Sequence, residues 1–148
     1  MRERGLPVGV KEGKVKKAKI EITGVTDGEE TRMETVGEYK WDTDTHWIAY
    51  TDYVGNSITR SGIYARNDAM LLHRAGAIAG DMLFPPRFDT LSRYSAFAVE
   101  TDFVVHTHRY EVKATDSRVE IGLNYTLTDK DYRHPIHAML RIVVELHG

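Results

Sequence analysis

Apolar and polar side chains alternate strictly between residues 119 and 127. Because successive side chains of a strand point to opposite faces of a sheet, this pattern predicts a half-buried strand with one face toward a core. The apolar positions of this strand are Val119, Ile121, Leu123, Tyr125 and Leu127.

The preceding run alternates too, through Phe97, Val99, Thr101, Phe103 and Val105, but it then changes parity. Beyond position 105 its large apolar residues are Tyr110 and Val112. Since a shift of one residue turns every later side chain to the other face, we expect a bulge or corner between His106 and Arg109. Strands that bend in this way are typical of sheets that curl into barrels.

Similar strand patterns fill the rest of the chain, separated by turns roughly every ten residues. Asp27-Gly28 is a hairpin turn signal, and Pro85-Pro86 ends the segment before it because proline cannot donate a backbone hydrogen bond. Gly37 lies in mid-strand, which indicates a tight bend or close backbone packing. Further inward faces are predicted at Ala18, Ile20 and Ile22, at Met33, Thr35, Gly37, Tyr39 and Trp41, and at Leu140, Ile142, Val144 and Leu146.

The sequence therefore predicts an all-β fold, an antiparallel meander of eight to ten strands that closes into a barrel. Residues 68–79 are the nearest to a helical pattern, but Gly76 and Gly80 weaken it and a strand fits equally well. We expect Phe103, Tyr125 and Ile142 in the core. Residues 1–14, with interspersed glycines and charges, are predicted to form a flexible arm, and residues 15–148 a single barrel domain.

Composition limits the function classes. The 148 residues are 41% hydrophobic and 28% charged, which is typical of a globular domain. The 20 basic and 22 acidic residues give a net charge of −2, so neither nucleic acid nor an anionic membrane is expected as a partner. There is no cysteine and no long apolar run, and residues 1–7 have no signal-peptide core. These features favour the cytoplasm.

Catalytic and cofactor motifs are missing from the sequence. It contains no Gly-x-Ser-x-Gly elbow, phosphate-binding glycine loop, dinucleotide fingerprint or His-Glu-x-x-His motif. We therefore expect no cofactor and lean against an enzyme. An acid–base pair assembled only by folding remains a third alternative, with a buried histidine and a carboxylate as its groups.

His106 and His108 are the only candidates for a metal site, because two imidazoles two residues apart in a strand can chelate a transition metal. A third ligand would be needed. Asp102 and Tyr110 share their parity, and His134 or His137 could contribute if the last strand were adjacent. We do not predict a metal site, since histidines on a wet face beside a bulge explain the pattern equally simply.

Arg74 is the charge of greatest interest. His73 and Arg74 are neighbours in a predicted strand, so one of them points inward. A buried arginine requires a carboxylate or carbonyl partner. Arg74 either holds an anionic ligand inside the barrel or pairs with an internal acid such as Asp81 or Glu100. We favour the ion pair, because buried charges are ordinarily paired.

Tyrosine and tryptophan are frequent in the predicted strands. Their large apolar bodies and single polar groups suit a cavity for a small amphipathic molecule, but they also suit an ordinary barrel core, which is the favoured interpretation. A barrel of about eight strands is wide enough either to be filled by side chains or to hold one small ligand. The candidate ligand-binding residues are Arg74, Trp47, Tyr50, Tyr94 and Tyr125.

Several short segments together suggest a family. They are Gly55 with Thr59, residues 74–76, residues 82–84, Tyr94, Thr107 and residues 125–127. With these segments the chain resembles the YwiB-like bacterial family, a domain of unknown function. The resemblance runs from about Ala18 to Val144 and implies a lipocalin- or calycin-like β-barrel, but no catalytic residues. Two departures from the family pattern are Ala98, where glycine is expected, and Pro85-Pro86.

These observations favour a barrel that binds a small amphipathic or anionic ligand. The alternative is a non-enzymatic interaction or assembly protein with a side-chain-filled barrel, and a homo-oligomer is left open in either case.

Overall fold

Ten antiparallel strands close into one barrel in the computed structural model, which describes residues 13–146. The predicted all-β meander is therefore confirmed, with the strand number at the upper end of the expected range. The predicted arm lies mostly outside the described residues. The strands are β1 (Lys16–Thr26), β2 (Glu29–Asp42), β3 (Thr45–Val54), β4 (Ser57–Ala65), β5 (Met70–Gly76), β6 (Ile78–Phe84), β7 (Thr90–Ala96), β8 (Val99–Ala114), β9 (Arg118–Thr128) and β10 (Ile136–Leu146).

Each strand pairs with the next along the chain, and β1 pairs with β10 to complete the ring. This closure removes the two free edges of an open sheet. Residues 68–79 contribute to β5 and β6, so the helical alternative is wrong. No helix within residues 13–146 has the length and apolar character needed to cross a membrane.

The parity change in β8 is a β-bulge. The register with β9 shifts between Thr107 and Arg109, which confirms the predicted position. Before the bulge Thr107 faces inward, and after it Tyr110 and Val112 do, so both halves of this long strand bury one face.

The turn between β7 and β8 corrects one expectation. Phe97, predicted as the start of a strand, forms a two-residue turn with Ala98. Both residues have positive φ, at 49° and 69°, as this kind of tight hairpin requires. Positive φ is tolerated best by glycine, which explains why glycine is the expected residue at position 98.

Large buried side chains are concentrated in one half of the barrel. We call this the closed half; it contains the β2–β3, β4–β5, β6–β7 and β8–β9 turns. Val112 and Ala114 of β8 are partly buried here. The fully buried inner side chains of this half include Ala18, Trp41, His46, Ala65, Met70, Phe84 and Val119.

The other half, which we call the open half, holds the remaining turns, and its apolar inner residues are only partly buried. Ile142 is fully buried, as predicted, and Tyr125 is partly buried against the core. Phe103 is also only partly buried and lies outside the main core cluster, so its assignment as a core residue is wrong.

His46 is a buried polar residue within the closed half. Its Nδ1 lies 2.8 Å from the hydroxyl oxygen of Tyr39. Burial raises the pKa of Tyr39, so its hydroxyl stays protonated and can donate a hydrogen bond to His46 Nδ1. Burial also lowers the pKa of His46 to about 4, so the imidazole is neutral at physiological pH.

We expect truncation of β10 side chains to destabilise the fold only on the inner face of the strand. Ile142→Ala should lower the free energy of unfolding by about 2–5 kcal/mol, because it removes buried contacts and leaves a cavity. Met139→Ala, at a side chain that is 57% exposed, should cost less than about 0.5 kcal/mol. Urea denaturation measures both, and equal losses would contradict the assigned faces.

His46 should make the fold sensitive to mild acid. The unfolded chain takes up a proton near the ordinary pKa of 6.5, whereas the folded chain resists protonation down to about pH 4. The contribution of neutral His46 to the free energy of unfolding is therefore fully present above about pH 6.5. It is lost as the pH falls toward 4, by at most about 1.4 kcal/mol per pH unit. Urea midpoints of wild type and His46→Gln at about pH 7 and pH 5 isolate this effect, because all other titrating groups are shared. An unchanged pH dependence in His46→Gln would contradict it.

Candidate functional site

A row of inward-facing residues crosses five neighbouring strands in the open half. The register pairs Tyr50 of β3 with Ser61 of β4, and Ser61 with Arg74 of β5. Arg74 is then opposite Gly80 of β6, which is opposite Tyr94 of β7. Strand pairing alone thus places three of the predicted ligand-binding residues in one row of the inner wall.

Arg74 is the unusual member of this row. Its Nε atom is buried and makes no hydrogen bond to another protein group. Within residues 13–146 it has no ion-pair partner, so the favoured pairing with Asp81 or Glu100 is wrong. Asp81 is exposed and pairs with His73, and Glu100 is exposed as well. Both carboxylates point to the outer face, because each is the chain neighbour of an inward residue, Gly80 in β6 and Thr101 in β8.

Two hydroxyl groups near this row are also unpaired. Ser61 Oγ and Thr107 Oγ1 are buried and have no hydrogen-bond partner in the protein. Buried polar groups are nearly always hydrogen-bonded, so several unpaired groups on one inner surface are exceptional. The sequence analysis missed both residues. Their parity could have found them, because Ser61 alternates with Ile63 and Thr107 lies directly before the bulge.

The positive charge of Arg74 acts on the nearby phenol groups of Tyr94 and Tyr125. Burial raises the pKa of each phenol, and the guanidinium of Arg74 opposes this rise in both. The phenols therefore stay protonated and can serve as hydrogen-bond donors. Tyr125 pairs with Thr107 across β8 and β9, which brings the far wall of the barrel to the same site.

Apolar side chains line the other side of the open half. These residues come from β1, β2, β9 and β10, whereas the polar row lies on β3 to β7. The inner surface of the open half is thus divided into a polar wall around Arg74 and an apolar wall. The apolar wall contains Ile22, Met33, Leu127 and Leu140, all partly buried against the core.

An opening in the barrel wall lies beside the polar row. The β2–β3 ladder ends at Glu38 and Ala49, after which β2 pairs with β1 alone and β3 with β4 alone. Gly37 marks this point, and a Cβ there would collide with the carbonyl oxygen of Ala49, as its mid-strand position indicated. A cleft of about 510 Å³ is located here and is lined in part by Tyr50 and Ser61.

Trp47 is not part of this site. It lies on the outer face of β3, where its ring stacks edge-on against Tyr64 at 4.7 Å and lies under the Lys40 ammonium. The prediction that Trp47 lines the barrel is wrong because inward residues of β3 have even numbers, as His46, Ile48 and Tyr50 show.

His106 and His108 lie on the outer face, at and beside the bulge. Two of the suggested third ligands, Asp102 and Tyr110, are engaged elsewhere, whereas His137 of β10 shares the Thr126 hydroxyl with His108. Asp102 binds Arg93 at 2.9 Å and Lys130 at 3.4 Å, and the Tyr110 hydroxyl donates to the carbonyl of Arg66.

Comparison with known proteins identifies the family but assigns no activity. The model of a domain of unknown function, DUF1934, matches residues 14–142. The crystal structure of the ywiB protein from Bacillus subtilis has a similar fold, with a TM-score of 0.80 and 15% sequence identity. The alignment covers 90% of this chain and 94% of the ywiB chain. No curated protein matches the sequence. With most of its length matched by the family model and its fold shared with ywiB, the chain belongs to the DUF1934 family.

Proposed function

We propose that the open half of the barrel binds a small amphipathic anion, with Arg74 as the residue that holds its charged group. The observation that carries this proposal is the buried Nε of Arg74, which lacks a protein partner. The Arg74 side chain is half-buried and has no counter-charge within residues 13–146, and a bound carboxylate or phosphate would supply both the charge and the missing hydrogen-bond acceptor of Nε.

The surroundings of Arg74 favour an anion with an apolar body. Ser61 and Thr107 offer unpaired hydroxyl groups, and Tyr94 and Tyr125 offer phenolic donors. The apolar wall lies on the other side of the same half. Ligand sites commonly combine a mainly apolar surface with a few polar groups that fix orientation. A short-chain fatty acid or a similar organic anion fits this division.

The cleft between β2 and β3 supplies a route into this region. Tyr50 and Ser61 belong both to the cleft and to the row that contains Arg74. Lys17, Arg60 and Glu38 also line the cleft, so an approaching anion would meet a small net positive charge before it reaches Arg74. The closed half contains large, fully buried side chains such as Trp41 and Phe84, which supports the open half as the proposed ligand site.

Arg74 variants should separate binding from stability. Arg74→Lys keeps the charge but loses the planar guanidinium, so it should weaken anion binding by about 1–3 kcal/mol. Arg74→Met should abolish binding and leave the melting temperature of the ligand-free protein unchanged or higher, because it removes a half-buried charge whose Nε has no protein acceptor. Thermal shift and isothermal titration calorimetry with a series of fatty acids measure both effects.

Arg87→Met is the matched control, since Arg87 is exposed in the β6–β7 turn. It should bind as wild type does. Failure of every anion to stabilise the wild type, combined with a large loss of stability in Arg74→Met, would reject the binding role. That result would make Arg74 a structural residue and favour the interaction or assembly protein.

A further inference from the structure

Three histidines come together on the outer face of β8, β9 and β10, away from the proposed ligand site. The register places His106 opposite Thr126, and Thr126 opposite His137, in one row across the three strands. The bulge in β8 adds His108 to the same region. We call His106, His108 and His137 the histidine cluster.

The imidazoles of the cluster converge on Thr126. His108 Nε2 lies 2.6 Å from the Thr126 hydroxyl oxygen, and His137 Nδ1 lies 3.1 Å from the same atom. The rings of His106 and His108 are 4.6 Å apart in an edge-to-face arrangement. The short threonine side chain between the longer histidines allows rings from two strands to approach one another above β9.

Asp89 supports the cluster from one side. Its carboxylate oxygen lies 2.6 Å from His106 Nδ1. A carboxylate at this nitrogen fixes the ring and increases the basicity of the opposite nitrogen, an arrangement found behind most metal-binding histidines. His106 can therefore present Nε2 as a ligand.

We propose that the histidine cluster binds a divalent transition-metal cation such as Zn²⁺ or Ni²⁺, with Asp89 as the supporting carboxylate of His106. Neutral imidazole nitrogens suit these cations, whereas Mg²⁺ and Ca²⁺ require oxygen ligands. The proposal concerns a site on the outer surface and does not depend on ligand binding inside the barrel.

The cluster must rearrange to bind metal. In the part of the chain that the structure describes, no group of three His, Asp or Glu side chains is already arranged to hold an ion. His108 and His137 would exchange their shared contact with the Thr126 hydroxyl for the cation. That hydroxyl can donate a hydrogen bond to one of the two nitrogens and accept one from the N–H of the other. His106 and His108 are exposed and can move without disturbing the core.

Isothermal titration calorimetry of the untagged full chain with zinc chloride and nickel chloride tests the site. We expect one saturable site per chain. His108→Gln and His137→Gln should each weaken binding at least about tenfold, and Asp89→Asn should weaken it by about tenfold or more. His73→Gln is the matched control, because His73 is also exposed on an outer strand face and paired with an aspartate, but belongs to no cluster. It should leave binding unchanged.

Histidine NMR spectra of the wild type provide a second measurement that is independent of how the variants fold. Addition of Zn²⁺ should shift the imidazole signals of His106, His108 and His137 and leave that of His73 in place. Absence of saturable binding to the wild type would overturn the proposal. So would an equal loss in His73→Gln, or shifts that do not include the cluster.

Discussion

The antiparallel pairing of β1 with β10 is the interaction on which the rest of the structure depends. It extends from Ala18 and Leu146 to Thr26 and Ala138 and closes the sheet on itself. Once the ring is closed, every strand has one face inside and one outside, and a slip of one residue would turn Ile20 or Val144 out to solvent. The bulge in β8 follows from the same constraint. Without it, the second half of that strand would direct Tyr110 away from the core.

Closure also divides the interior unequally. Trp41, Phe84 and Met70 fill the closed half, and the burial of these large side chains supplies much of the hydrophobic driving force. The open half contains groups that do not serve stability in this way. An arginine Nε and two hydroxyl groups are buried there without protein partners, as is Trp41 Nε1 in the closed half, although buried polar groups in folded proteins are nearly always hydrogen-bonded. Unfavourable arrangements of this kind are expected where function opposes stability.

The alternate positions of each strand point outward and carry many charged side chains. Several of these charged side chains form exposed ion pairs, such as Arg32 with Glu21, which contribute little to stability. The histidines beside the bulge are different because they contact one another and share Thr126. The bulge that restores the inner face of β8 also places His108 among the other two rings.

The sequence by itself determined the strands, their inward faces and the position of the bulge, because alternation with period two is a local property of the chain. It also singled out Arg74, Tyr50, Tyr94 and Tyr125, which share the inner parity of their strands. Only the tertiary structure decided which residues meet across strands. The parity of β3 was read wrongly at Trp47, since both faces of that strand are rich in aromatic residues. The expected ion pair of Arg74 is absent because Asp81 and Glu100 lie on the outer face of the barrel, whereas Arg74 lies on the inner face. The contacts of Ser61 with Arg74, and of His137 with Thr126, are set by register between strands, which no local pattern encodes.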